Sequence, residues 1–492
     1  VGLPQSLKYD LPPSLPDSAR AYSVNVAPDG ITSVTGPSMA SIVPFVANDT
    51  GKFGSFTSQV ISFTLPSGMS KSVFLDPSST TLSFTMNYQW ATASSGGTVP
   101  SMNLIGSGAS WFDQLVLYSN NVPIETINQY GMLQNFLLQN TVSASERFGG
   151  FSVSMGCDTN SANGIDLAIT GTGVTRYNFT IPLLSVIGAS TDKFFPIGSC
   201  NNIQLQLTTA SLVPLVSFCT VIPTTMPVFN SAGITLNDFT LNMKYIDVGD
   251  MASALLSQTL QDGKWFIKSQ TYTNSNITIP QNSSGSQQLL LQIRNTSVKS
   301  IIHQFGLTNS SATTSVICPN GYYDAINPSL TLRQCQVGGN FYPNKPISDC
   351  TRPSEGYPVL ISSLAQGGSL TKSMGTVVNR YMYNAVWPSA PSGSDSTLVT
   401  PAAGQRAVPG GGDTDITNQT YISKYPNSAY YGYDLEKSSG ILFQGVNTRA
   451  SPPFLNLFLS NTATSTVLCT AWGISDVIIE IDTIAQQVKA YI

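Results

Sequence analysis

Short runs in which apolar and polar residues alternate recur along the whole chain. The clearest run begins at Thr81, where Leu82, Phe84, Met86 and Tyr88 alternate with small polar residues. Successive side chains of a β-strand point to opposite faces, so this run predicts a strand with one buried face. Similar runs occur at 60–65, 177–184, 203–207 and 234–248, and again from residue 265 onwards. The pattern therefore predicts a protein built mainly of β-strands.

The segment Ser110–Leu137 combines two periodicities. Its apolar first part leads into Asn120-Asn121, and asparagine tolerates the positive φ that a close hairpin needs. After a second short strand the apolar residues fall at helical spacing. We therefore expect a strand, a hairpin and a short helix that lies across one end of a β-barrel, with the helix carrying Tyr130, Leu133, Phe136 and Leu137.

The strand runs divide the chain into an arm and two domains. Residues 1–50 are rich in Pro, Ser, Ala and Gly, and they predict an extended N-terminal arm. Residues 51–250 and 251–492 each hold enough strands for an eight-stranded jelly-roll sandwich. The second domain contains long loop excursions near 308–356 and 385–428, and the run VGDMASALLSQTL predicts a helix between the domains. The predicted fold class is all-β: two consecutive eight-stranded jelly-roll sandwiches with a few short helices and long loops.

Charged residues make up only 10% of the chain, and the formal net charge is −4. A surface of neutral polar groups is typical of a protein that functions as part of a larger assembly. The first 52 residues contain only Lys8, Arg20 and Lys52 as cations. Because proteins that neutralise phosphates need clustered cations, we expect no direct sequence-specific binding of nucleic acid.

The seven cysteines are widely spaced and favour reduced, partly buried thiols. Cys318, Cys335 and Cys350 share one loop-like region, where one disulfide or a cysteine-based metal site is an alternative. The metal alternative is the weaker one, because structural zinc usually takes four N or S ligands and His303 is distant in sequence. The sequence therefore predicts no metal site.

Candidate catalytic groups are few. His303 is the only histidine and lies in an apolar strand, which predicts a buried histidine held by hydrogen bonds. Glu355, Glu436 and Glu480 are acids of the kind that glycosidases use in pairs, but nothing in the sequence brings two together. Glu480 and Asp482 share one strand face, where we expect solvated side chains. No catalytic or cofactor-binding residue, and no cofactor, is predicted.

Two further features have an ordinary interpretation. Asp413 and Asp415 lie in GGGDTDIT, where a polar turn is favoured over a Ca²⁺ site. Glycosylation sequons are frequent because the chain is rich in Asn, Ser and Thr, and they matter only on a secretory route. The sequons begin at Asn48, Asn178, Asn276, Asn282, Asn295, Asn309 and Asn418.

Five stretches lie in a fixed order within the region from about residue 55 to the C-terminus: WFDQLVLYSNNVPIETINQYGMLQNFL, YNFTIPLLSVIGASTDKFFPIGSCNNIQLQLTTA, ITLNDFTLNMKYIDVGDMASALL, NTSVKSIIHQFG and DVIIEIDTIAQQV. In this order they resemble the double jelly-roll major capsid proteins of icosahedral double-stranded DNA viruses. The resemblance is to shell proteins of virophages, polinton-like viruses and their larger eukaryotic relatives. The excursions at 308–356 and 385–428 match nothing in that family.

The resemblance implies a non-enzymatic structural protein of the virion. In that family three copies form a trimer with a pseudo-hexagonal outline, and such capsomers tile an icosahedral shell. The expected partners are further copies of the chain, minor capsid and penton proteins, and an internal membrane or minor proteins near the N-terminal segment. Six aromatic residues are expected either between subunits or in the core of one chain: Phe45, Phe53, Phe56, Tyr430, Tyr431 and Tyr433.

Two other classes of protein share the low charge and the long polar loops. One is a secreted or surface-displayed carbohydrate-binding or adhesin β-sandwich protein, which would be a monomer with affinity for sugars. The other is a glycan-active enzyme on a β scaffold, whose activity would depend on one pair of acids.

Overall fold

The computed structural model describes residues 19–29, 33–35, 59–90, 101–104, 107–142, 146, 150–156, 166–168, 174–188, 194–210, 216–218, 229–258, 260, 263–281, 283–307, 325, 328, 330–348, 353–364, 429–437, 444–459 and 466–492. In the first half the strands are β1 (Arg20–Val26), β2 (Ser33–Thr35), β3 (Val60–Leu65), β4 (Val73–Trp90), β5 (Ser101–Leu104), β6 (Phe112–Ser119), β7 (Val122–Asn128), β8 (Asp166–Ala168), β9 (Val174–Pro182), β10 (Ile203–Thr209), β11 (Val216–Phe218) and β12 (Phe229–Asp247).

The second half contains β13 (Lys264–Ile279), β14 (Gly285–Leu290), β15 (Val298–Leu307), β16 (Leu330–Val337), β17 (Asn340–Ile347), β18 (Tyr430–Asp434), β19 (Phe454–Leu459), β20 (Val467–Asp482) and β21 (Gln487–Tyr491). The α-helices of the described ranges are α1 (Tyr130–Thr141), α2 (Gly150–Met155), α3 (Asp250–Gln258) and α4 (Pro353–Leu364). Within those ranges no helix combines the length and the apolar character needed to cross a membrane.

The two halves repeat one strand order. In the first half, sheet β1-β12-β4-β9 packs against sheet β3-β10-β6-β7. In the second half, sheet β13-β20-β15-β18 packs against sheet β14-β19-β16-β17. We number the eight strands of each half 1 to 8, leaving out β2, β5, β8, β11 and β21. Both halves then have the order 1-8-3-6 in one sheet and 2-7-4-5 in the other. This connectivity is that of a jelly roll, so the predicted fold class is confirmed.

The alternating residues fill the cores as predicted. Leu82, Phe84 and Met86 of β4 are buried, and the ring of Phe84 lies 5.5 Å from that of Phe112 in the facing sheet. β12 contains a bulge, because its register against β4 shifts after Asn237. Antiparallel sheets with one face on the core give this clean alternation of apolar and polar residues.

Several segments differ from the prediction. Part of the predicted arm, residues 20–26, forms β1 along β12, with Val24 and Val26 packed against the core. Residues 330–347, predicted as part of a loop excursion, form the hairpin β16–β17. Pro343 and Pro346 weaken the strand signal there, since proline is confined to edge strands. The excursion near 385–428 lies outside the described residues, and the predicted linking helix is present as α3.

Candidate functional site at the junction of the two sandwiches

The hairpin and helix predicted from the sequence form the first part of the contact between the two sandwiches. Asn120 and Asn121 adopt φ of 49° and 64°, which closes β6 onto β7 in a two-residue turn. The Asn120 side chain donates from Nδ2 to the carbonyl oxygen of Gln486 in the second sandwich, at 3.4 Å. The tip of this hairpin therefore touches the turn between β20 and β21.

Aromatic rings fill the centre of the junction. Phe136 of α1 lies 4.7 Å from Tyr430 of β18 and 6.0 Å from Trp472 of β20, measured between ring centroids. The indole Nε1 of Trp472 donates to the carbonyl oxygen of Asn128, at 3.4 Å. Full burial of one such ring contributes roughly 1.5–3 kcal/mol. The two sandwiches therefore share one apolar cluster across the junction.

A buried carboxyl group lies beside this cluster. Glu125 of β7 accepts hydrogen bonds from the Ser185 hydroxyl and from the Val186 amide. Burial raises the pKa of Glu125 to about 7, against the lowering effect of these two hydrogen bonds. Burial also raises the pKa of Tyr272 in the second sandwich, and the Glu125 charge adds to this effect. Glu125 is thus a titratable group at the boundary between the sandwiches.

A cavity of about 220 Å³ opens where α1 and α4 meet sheet β13-β20-β15-β18. At its side Lys299 lies 3.2 Å from a Glu436 oxygen and 3.6 Å from an Asp476 oxygen, all three being largely buried. The Ser362 hydroxyl donates to Asp434 at 2.8 Å. Of these groups only Glu436 is among the candidate residues predicted from the sequence. The others come from different elements of the chain, and no local motif marks them.

His303 lies inside the second sandwich, where it is fully buried. Its ring stacks at 5.1 Å from Tyr431 and 5.6 Å from Tyr433. The predicted hydrogen bonds are wrong: within the described residues neither ring nitrogen has a hydrogen-bond partner. Burial and the neighbouring Arg333 cation hold the pKa of His303 well below its usual value. The residue is therefore a neutral part of an aromatic core.

Arg333, which is not among the residues predicted from the sequence, completes this aromatic core. Its guanidinium group lies 5.0 Å from the ring centroids of both Tyr431 and Tyr433. It donates to the carbonyl oxygens of Gly432 at 3.1 Å and Gly356 at 3.3 Å. The side chain therefore ties β16 to β18 and α4 from inside the sandwich, as the planar guanidinium group allows.

The three candidate glutamates belong to three different ion pairs. Glu436 pairs with Lys299, Glu355 lies 3.6 Å from Lys345 at the surface, and Glu480 lies 2.7 Å from Lys264. The expectation of a solvated side chain is wrong for Glu480, which is 6% exposed. Its hydrogen bond from Lys264 holds the pKa of Glu480 below its usual value. These three glutamates therefore do not form the pair of acids that a glycosidase uses.

The remaining candidates divide by where they fall. Cys200, Cys335 and Cys469 are buried and free, which confirms reduced thiols at these positions. The described ranges contain no group of three or more His, Cys, Asp or Glu that could hold a metal ion. Other predictions fall outside the described residues: those for Cys157, Cys219, Cys318, Cys350, Asp413, Asp415, Phe45, Phe53 and Phe56.

Of the two alternatives for the aromatic residues of β18, the core is the observed one. Tyr430, Tyr431 and Tyr433 are all fully buried within the chain. Among the sequons, Asn295 is also buried, and its Nδ2 donates to the hydroxyls of Thr273 and Ser475 at 2.8 Å. A glycan on Asn295 is therefore incompatible with the folded sandwich.

No protein-family model and no curated protein matches the sequence. Solved structures do match over nearly the whole chain. The PBCV-1 virus capsid model gives a TM-score of 0.52 at 9% identity, covering 96% of this chain and 97% of that chain. PBCV-1 VP54, fitted into a reconstruction of the virophage Sputnik, gives 0.54 at 9% identity and covers 99% of both chains.

The mavirus major capsid protein gives a TM-score of 0.52 at 9% identity, covering 100% of this chain and 93% of that chain. At this identity the likeness concerns the fold. The chain therefore has the double jelly-roll fold of these capsid proteins.

Proposed function

We propose that this chain is the major capsid protein of an icosahedral double-stranded DNA virus and that it resides in the virion shell. The observation that carries the proposal is the repeated strand order, 1-8-3-6 and 2-7-4-5, in two sandwiches of one chain. The likeness to the PBCV-1 and mavirus capsid proteins supports it, because the likeness spans nearly all of each chain.

The proposal includes the assembly state. Three copies form a trimer. Since each chain contributes two similar sandwiches, the trimer contains six similar blocks and has a pseudo-hexagonal outline. Such capsomers tile a closed shell with neighbouring capsomers and with minor and penton proteins. An internal membrane or minor proteins lie on the inner side. The low content of charged residues, 10%, supports a surface that is largely covered by other subunits.

The role is structural and without catalysis. The acids considered as catalytic residues are engaged in ion pairs with Lys299, Lys345 and Lys264. The polar groups around the cavity beside α1 likewise bind one another: Ser362 binds Asp434, and Lys299 binds Glu436. These contacts connect helices and strands, which is the role that a shell subunit requires of them.

Light scattering on the purified chain tests the proposal. The expected mass is close to three times 52.4 kDa, and it stays constant over a wide range of protein concentration. A monomer that binds sugars on a glycan array would instead identify a carbohydrate-binding sandwich and overturn the capsid proposal. Hydrolysis of a glycan that is lost on replacing one acid would do the same in favour of an enzyme.

A further inference from the structure

The contact between the two sandwiches of one chain suggests a second contact, because the sandwiches are repeats. Within the chain, the hairpin of strands 4 and 5 of the first sandwich, β6–β7, packs beside strand 1 of the second, β13. The tip of that hairpin touches the turn that follows strand 8, through Asn120 and Gln486. The contact is heterologous, since different surfaces of the two repeats meet.

Each repeat carries such a hairpin and such a receiving surface. Within the described residues, the hairpin of the second sandwich and the receiving surface of the first do not make this contact. The hairpin of strands 4 and 5 of the second sandwich is β16–β17, which also closes in a two-residue turn, Gly338-Gly339. Strand 1 of the first sandwich is β1, and the element that follows its strand 8 is α3. In the described part of the chain, β1 pairs only with β12 and β17 pairs only with β16.

Both surfaces expose apolar side chains. Phe341 of β17 is 40% exposed, and Tyr22 of β1 is 39% exposed. In α3, Met251 and Leu255 are 83% and 62% exposed, and their spacing of four residues puts them on one face. By contrast, Trp265 at the start of β13 is only 5% exposed, because the first sandwich covers it.

The mode of contact follows from the prolines of β17. Pro343 and Pro346 have no amide hydrogen to donate, so β17 is a poor partner for a main-chain ladder along its open edge. The counterpart strand β7 carries Pro123, and it contacts β13 without pairing with it. Side-chain packing is therefore the mode of contact that both hairpins can make.

We propose that the β16–β17 hairpin of one copy packs against β1 and α3 of a second copy of this chain. This inference rests on the proposed function, and it specifies the surfaces that join the copies. The partner is a second copy because the chain itself carries both halves of the contact and already uses their counterparts internally. Each copy then offers one hairpin and one receiving surface, so repetition of the contact closes a ring when the rotation is right.

Charge substitution tests the contact. Phe341→Asp and Leu255→Lys each put a charge into the proposed interface, while both side chains are solvent-exposed in the single chain. We expect each variant to raise the protein concentration at which trimers dissociate by about tenfold or more, which is about a hundredfold in the trimer dissociation constant, because that constant scales with the square of the concentration. The double variant brings opposite charges together and recovers most of the lost association. Val153→Asp, at a position 86% exposed in α2, is the matched control and leaves the mass unchanged.

The outcomes separate this inference from the proposed function. If the wild type forms trimers and neither Phe341→Asp nor Leu255→Lys changes their dissociation, the inference is overturned and the capsid proposal stands. The same holds if both single variants dissociate but the double variant shows no recovery. A wild-type chain that is monomeric at every concentration overturns both. Circular dichroism melts of the single variants that coincide with the wild-type melt confirm that the substitutions act on association.

Discussion

The rings of Phe136 and Tyr430 lie 4.7 Å apart across the boundary between the two sandwiches, although the residues are nearly three hundred positions apart in the chain. Phe136 extends from a helix of the first sandwich, and Tyr430 belongs to a strand of the second. Trp472 of the second sandwich lies 6.0 Å from the same Phe136 ring, measured between ring centroids. This cluster is an apolar contact through which the two repeats stabilise each other.

Phe136→Ala is expected to lower the free energy of unfolding by about 3–5 kcal/mol, because it leaves a cavity between fully buried rings. Unfolding in urea, followed by fluorescence and by circular dichroism, measures the change. The loss of the shared cluster also uncouples the sandwiches, so the single transition becomes two. Met69→Ala, at a side chain 47% exposed, is the control and changes the free energy by less than about 0.5 kcal/mol.

Glu125 predicts a pH dependence of stability. Because its pKa is raised to about 7 in the folded chain, the folded state holds a proton that the unfolded state has released. The free energy of unfolding therefore falls as the pH rises from about 4.5 to about 7, by on the order of 2–3 kcal/mol. Glu125→Gln keeps an acceptor oxygen for Ser185 and Val186 and removes this dependence.

Urea unfolding of the wild type and of Glu125→Gln measures the effect, from about pH 5 to about pH 8, a range that includes the raised Glu125 pKa of about 7. The matched control is Glu355→Gln, the same chemical change at a surface ion pair, which leaves the wild-type slope in place. A Glu125→Gln variant that keeps the full wild-type slope would show that another group titrates at the junction.

The contacts of Arg333 predict that a lysine at this position gives a less stable protein. Arg333→Lys keeps the charge but has no planar group with which to reach both Gly432 and Gly356 while lying over two tyrosine rings. We expect it to lose about 3 kcal/mol in the free energy of unfolding, as for a buried charge that loses its partners. Arg449→Lys, at an exposed arginine, is the control and leaves the urea midpoint unchanged. Equal midpoints for both variants would contradict the role of the guanidinium geometry.

The buried lysine beside the cavity gives a further prediction. Lys299→Met leaves the carboxylates of Glu436 and Asp476 without their cation, and we expect a loss of about 3–5 kcal/mol. The triple variant Lys299→Met, Glu436→Gln, Asp476→Asn removes the charges together and recovers part of this loss. Thermal melts of the two variants and of the surface variant Lys345→Met provide the comparison. A Lys299→Met chain as stable as Lys345→Met would contradict the ion-pair account.

The sequence predicts individual strands and helices better than it predicts which strands lie next to each other. Alternation in β4 predicted its buried face, and Asn120-Asn121 predicted the hairpin, because both depend on adjacent residues. The order of the strands depends on pairs such as Leu82 with Leu241, which no local pattern connects. Arg333 and Lys299 carry no signal for the same reason. Their partners come from other strands, and in the sequence each is an isolated cation among polar and apolar residues.

Electron microscopy of the purified chain tests the central claim most directly. The account predicts particle averages with a pseudo-hexagonal outline and threefold symmetry, in which six similar blocks surround a centre, together with closed shells where assembly proceeds. Particles that contain only one pair of sandwiches, at concentrations where capsomers should be complete, would contradict it.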